Sequence, residues 1–138
     1  MTTTPSPPLT ILIVDDDPTS RELCEGYLAH EAHTLVMARD GEEAWRQVIL
    51  HPPDLVLVDI MMPRLNGYYL CQRMKKDNRT QAIPILGMSA VGKFEMSADH
   101  PLGPDDFLAK PFTREQLLNK ITQLVRKRSP GSSGSGKS

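Results

Sequence analysis

Residues 11–18 read ILIVDDDP, four branched apolar side chains that run straight into three aspartates and a proline. A short apolar run bounded by turn residues reads as a strand buried on both faces. The first strand spans 9–15 (LTILIVD), and four similar runs follow at 34–38 (TLVMA), 54–60 (DLVLVDI), 83–88 (IPILGM) and 106–109 (DFLA). Longer segments of helical period separate them. Asp17 caps the first helix, with Pro18 at a position where the missing N–H costs nothing, and Leu23, Tyr27 and Leu28 form its buried stripe. Asp40 opens the second, whose inner face carries Ala44, Trp45, Val48 and Ile49, and HPP at 51–53 ends it. The third follows Gly67 and buries Leu70, Cys71 and Met74. The last begins on the capping box Thr113-Arg114-Glu115-Gln116 and presents Leu117, Leu118, Ile121, Leu124 and Val125. Between them, residues 92–105 contain Pro101, Gly103 and Pro104, which shortens the fourth helix to about two turns near Lys93–Asp99. Strand and helix alternate five times, the pattern of an α/β fold with a parallel sheet flanked by helices on both faces.

The 138 residues suffice for one domain with its own core. Residues 1–8 read as a disordered Pro/Thr/Ser leader, 9–128 as the folded domain, and 129–138 (SPGSSGSGKS) as a flexible linker or appended tail. Lys and Arg number 16 against 17 Asp and Glu, a formal net charge of −1. No strongly basic surface for direct nucleic-acid binding or for an anionic membrane is expected. Neither a signal peptide nor a membrane-spanning stretch is read from the chain, so a cytoplasmic protein is expected. Cys24 and Cys71 fit no metal or redox spacing and read as packing residues. His30, His33, His51 and His100 show no ligand spacing either. GSSGSGKS at 131–138 fits the phosphate-binding pattern letter for letter, but neither a strand nor a helix frames it.

In an open parallel sheet the ligand sits beyond the carboxyl ends of the strands. The first strand ends in Asp15, Asp16 and Asp17, the third in Asp59, the fourth in Ser89 and the fifth in Lys110. If the first and third strands are neighbours, their carboxylates crowd together. Like charges about 4 Å apart at an effective dielectric of ~20 repel by roughly 4 kcal/mol. A hard divalent cation offsets this, and Mg²⁺ suits a few carboxylates, waters and a phosphate oxygen. The same set defines a phosphoryl-transfer site, in which metal and lysine neutralise phosphoryl oxygens, a hydroxyl donates and a carboxylate attacks. Asp59 is then the nucleophile. Taken singly, Asp59 reads equally well as a turn acid, Ser89 as a helix-capping hydroxyl and Lys110 as a surface amine. Their coincidence at successive strand ends carries the functional reading.

ILIVDDDP, DLVLVDIMMPRLNGYYL, IPILGMSA and DDFLAKPF resemble, in order and spacing, the receiver domain of two-component response regulators. The resemblance covers 9–128 and implies a flavodoxin-like sheet of strand order 2-1-3-4-5. It implies a phosphorelay switch in which Asp59 accepts a phosphoryl group from a phosphohistidine on a sensor histidine kinase or histidine phosphotransfer protein. It further implies Mg²⁺ held by Asp16, Asp59 and the Met61 carbonyl, with Asp15 acting through water. Ser89 takes the switch hydroxyl position, Lys110 contacts the phosphoryl group through a strand end followed by a cis Lys110–Pro111 bond, and PRLNG at 63–67 matches the family's turn. Phe107 falls on the switch aromatic, or is simply a strand aromatic at the edge of the core. Output passes to a downstream effector protein or domain, and the shortened fourth helix alters the usual output face. Apolar Met61 and Val91 cannot orient a water by hydrogen bond, so self-dephosphorylation is expected to be slow and no further enzyme activity is expected. Two rivals are a phosphorylation-independent pseudo-receiver and a haloacid dehalogenase-like phosphatase using Asp15 and Asp17. The phosphatase order is wrong, because Asp105 and Asp106 precede Lys110, and Asp59 is left without a role.

Overall fold

The computed structural model describes residues 8–60, 67–90 and 103–128. Met61, Val91, the PRLNG turn up to Asn66, the shortened helix expected near 93–99 and nearly all of both terminal segments lie outside the described residues. In chain order the elements are β1 (Thr10–Val14), α1 (Pro18–Tyr27), β2 (Thr34–Ala38), α2 (Gly41–Leu50), β3 (Leu55–Asp59), α3 (Gly67–Lys75), β4 (Ile85–Ala90), β5 (Asp106–Lys110) and α4 (Arg114–Arg128). All strand pairs are parallel and the order is β2-β1-β3-β4-β5. No described helix is long and apolar enough to cross a membrane.

The period-2 alternation of a strand divides the core in two. Leu12, Val14, Val56, Val58 and Ile85 face Ala44 and Val48 of α2 and Leu70, Cys71 and Met74 of α3. Ile11, Ile13, Leu55, Leu57, Leu86 and Met88 face Cys24, Leu28, Leu117, Ile121 and Leu124 on the other side. That is why ILIV is apolar without a break: β1 is interior to the sheet, and each face is covered by a helix pair. Both cysteines are buried thiols, pushed up by that burial to about 11 for Cys24 and about 12 for Cys71, as packing residues would be.

The helix starts follow their signals. Asp17 accepts from the Thr19 N–H at 3.0 Å, and Asp40 from the Glu43 N–H at 2.8 Å. The capping box is reciprocal: Thr113 N–H donates to Gln116 Oε1 at 2.8 Å and Gln116 N–H to Thr113 Oγ1 at 3.1 Å. Each such cap contributes about 1 kcal/mol. Two expectations need correction. Leu23 is 46% exposed, and it is Cys24, with Leu28, that turns into the core, because α1 packs along Ser20, Cys24 and Tyr27. β4 begins at Ile85 and runs through Ser89, where the sequence places 83–88. Pro84 has no N–H to enter the ladder, while polar Ser89 stays paired because β5 extends beside it to Lys110.

Candidate functional site

The register carries the polar residues to one rim. Val14 lies opposite Val58, so Asp15 and Asp59 leave neighbouring strands side by side. Asp59 pairs with Met88, Ser89 with Ala109, and Ala90 with Lys110. Asp15 is wholly buried, Asp59 half-buried and Asp16 exposed, and one carboxylate oxygen from each lies within 4.8 Å of the others.

Lys110 Nζ stands between them. It donates to Asp15 Oδ2 and Asp59 Oδ2, 3.1 Å each, and to Ser20 Oγ at 3.2 Å. Burial alone would depress the amine, but the two carboxylates outweigh it and hold Lys110 above its ordinary value. Burial likewise pushes the Asp15 carboxyl up; the Asp17 N–H and Lys110 pull against that rise, and the Asp59 charge adds to it. The peptide bond from Lys110 to Pro111 is cis. Asp15 is locked in place by its neighbours: the Asp17 N–H donates to Asp15 Oδ1 at 3.0 Å, and Arg21 Nη1 donates to the Asp15 carbonyl at 2.6 Å.

Ser89 Oγ is fully buried and has no hydrogen-bond partner among the described residues. An orphaned hydroxyl is costly, by about 1–3 kcal/mol, and its place at a strand end beside Asp59's strand fits a group awaiting an incoming acceptor. The charge balance fits a cation too. Asp15, Asp16 and Asp59 bring three carboxylates within 4.8 Å of one another with Lys110 against two of them, and a divalent ion would offset the repulsion among them. The oxygen-only donor set suits Mg²⁺.

Asp15, Asp16, Asp59, Ser89 and Lys110 are thus gathered at one edge. Asp17 is occupied as the α1 cap, and Met61 lies outside the described residues. Ser20 and Arg21 escaped the sequence reading. Their signal was position alone, in the first turn of a helix that begins three residues after Asp15. Behind the rim, Gly67 opens α3 where a Cβ would meet Ile60 Cα at 2.6 Å and the Asp59 carbonyl at 2.8 Å, so only glycine lets α3 start so close to Asp59. Phe107 is half-buried against the α2/α3 side of the core.

Comparison with known proteins agrees with this arrangement. The family model for the response regulator receiver domain matches residues 11–122. The DNA-binding dual master transcriptional regulator RpaA of Synechocystis is 35% identical over 118 residues, covering 85% of this chain and 49% of that protein. The probable transcriptional regulator ycf27 of Cyanophora paradoxa is 38% identical over 118 residues, covering 85% and 48%. The chain therefore spans about half the length of these curated relatives. Among solved structures, the signal receiver domain of a signal transduction histidine kinase from Syntrophus aciditrophicus matches with a TM-score of 0.78 and 30% identity, over 86% of this chain and 91% of that one. The receiver domain of NtrX from Brucella abortus matches at 0.76 and 30%, over 84% and 98%.

Proposed function

The chain belongs to the response regulator receiver domain family, a family of two-component signalling, and from that premise we propose that it is a phosphorylation-controlled switch whose acceptor is Asp59. The observation that carries this reading is the sharing of Lys110 between the carboxylates of Asp15 and Asp59, 3.1 Å from each. The Asp59 carboxylate attacks the phosphorus of a phosphohistidine. The P–N bond breaks, the imidazole keeps the bonding pair and takes up a proton, and an acyl phosphate is left on Asp59. Lys110 already stands against the carboxylate, and its charge meets the arriving phosphoryl oxygens as one of its protons passes from Asp59 to them. Ser89 supplies the hydroxyl that then finds its partner. Asp16, Asp59 and the Met61 carbonyl would hold Mg²⁺, with Asp15 beside it; the ion, when bound, neutralises phosphoryl charge.

The partners on this reading are a sensor histidine kinase or histidine phosphotransfer protein upstream and an effector protein or domain downstream, in the cytoplasm. The two curated relatives named above, by their names a transcriptional regulator and a probable transcriptional regulator, are about twice as long as this chain, so an effector on the same chain is one form this output takes. Asp15 is wholly buried and its two oxygens are engaged by the Asp17 N–H and by Lys110, which argues against it as the nucleophile that the phosphatase reading needs.

The test is incubation with acetyl phosphate and Mg²⁺, followed by peptide mass spectrometry. A label on Asp59, slow to decay and absent in Asp59→Asn or after chelation, is the expected result. A label on Asp15 with turnover would indicate a phosphatase, and no label a pseudo-receiver.

A further inference from the structure

An ammonium group carries three protons, and Lys110 meets three acceptors. Two are the acids of the rim. The third, Ser20 Oγ at 3.2 Å, comes from the first turn of α1. The hydroxyl has a second, longer contact, donating to Asp17 Oδ2 at 3.4 Å, which leaves its lone pairs to the amine. Asp17 is itself held, because its other oxygen caps the Thr19 N–H.

Among the described residues, Ser20 Oγ is the acceptor of that third proton. A cleft of about 260 Å³ adjoins the amine, lined by Ser20, Leu23, Cys24, Lys110, Pro111 and Phe112. Among the described lining residues, Ser20 is the only one with an oxygen-bearing side chain. Helix and strand end are also clamped at a fixed spacing. Tyr27 Oη donates to the Phe112 carbonyl at 2.9 Å, and Arg114 donates from Nε to the Tyr27 carbonyl at 3.0 Å and from Nη2 to Glu31 at 2.7 Å.

We propose that Ser20 is a positioning residue for Lys110: its hydroxyl takes the third ammonium proton and holds the amine at the height where Asp15 and Asp59 share it. The consequence for phosphoryl acceptance rests on the reading of Asp59 given above; the contact itself does not. With Ser20 in place the amine waits where charge arrives, and without it one N–H turns to water and two contacts rather than three hold the side chain.

The experiment compares the wild-type chain with Ser20→Ala and Ser20→Thr. In protein labelled with ¹⁵N at lysine Nζ, the Lys110 ammonium signal is identified by its disappearance in Lys110→Arg. It is expected to show slow proton exchange and restricted rotation in wild type and in Ser20→Thr, and to lose both in Ser20→Ala. Backbone amide spectra check that each variant is folded. In parallel, acceptance of phosphoryl from acetyl phosphate with Mg²⁺ is expected to slow roughly five- to tenfold in Ser20→Ala and to recover in Ser20→Thr. An unchanged Lys110 signal in Ser20→Ala, or an acceptance rate within about twofold of wild type, overturns the proposal. If wild type takes no label at Asp59, the functional reading falls instead, and the ammonium signal, which needs no phosphodonor, decides the role of Ser20.

Discussion

The two edges of the sheet treat their acids in opposite ways. At the edge where the strands begin, Asp54 accepts the Thr10 N–H at 2.8 Å, Asp105 accepts the Ile85 N–H at 2.8 Å and pairs with Lys75, and His33 accepts the Leu9 N–H at 3.0 Å. At the edge where they end, Asp15 and Asp59 share one amine and the Ser89 hydroxyl is orphaned. The cause is the parallel sheet itself. Strand starts offer unpaired N–H groups, which suit carboxylates, whereas strand ends offer carbonyl oxygens, which do not. Acids at the first edge are structural fasteners. Those at the second gather around the Lys110 ammonium instead.

Three substitutions sharpen the contrast. The largest effect is expected from Gly67→Ala. Its Cβ would strike backbone atoms of Ile60 and Asp59, which cannot swing aside, so stability should fall by about 3 kcal/mol in urea unfolding, with the Asp59 edge the first to lose amide protection. Next is Asp15→Asn, which should stabilise the protein at neutral pH by about 2 kcal/mol, because it removes a buried, crowded charge while keeping an acceptor for the Asp17 N–H. The sign follows from the raised pKa of Asp15. The folded state binds the proton more tightly than the unfolded chain, so the penalty is full above the folded value and fades as pH falls towards the ordinary 3.8. The gain from Asp15→Asn should therefore shrink in acid, and a gain that grew in acid would contradict the account. The smallest is Asp54→Ala, expected to destabilise by about 1 kcal/mol because the Thr10 N–H loses its acceptor, with no effect on phosphoryl acceptance. Opposite signs for Asp15 and Asp54 in the same thermal-unfolding series would establish the difference between the edges; equal signs would break it.

Much of this was legible beforehand because its causes are local. ILIV before DDDP marks a buried strand, Asp17-Pro18 and Thr113–Gln116 mark helix starts, and each was found where its pattern lies. Leu23 misled, because helical spacing ranks apolar residues without fixing the rotation of the helix, and α1 turns Cys24 inward instead. Ser89 looked like the residue after a strand because polarity hides a buried ladder position.

The alternation of elements, the helix caps and the acid, hydroxyl and amine at the strand ends are written in the order of residues alone, since each depends on neighbours within a few positions. Folding alone settles that Asp15 is buried while adjacent Asp16 is exposed, that one lysine bridges residues 95 and 51 positions away, and that Ser20 is a third partner of that lysine. Those facts depend on strand register and on the rotation of a helix against a sheet, quantities set by the packing of the whole core.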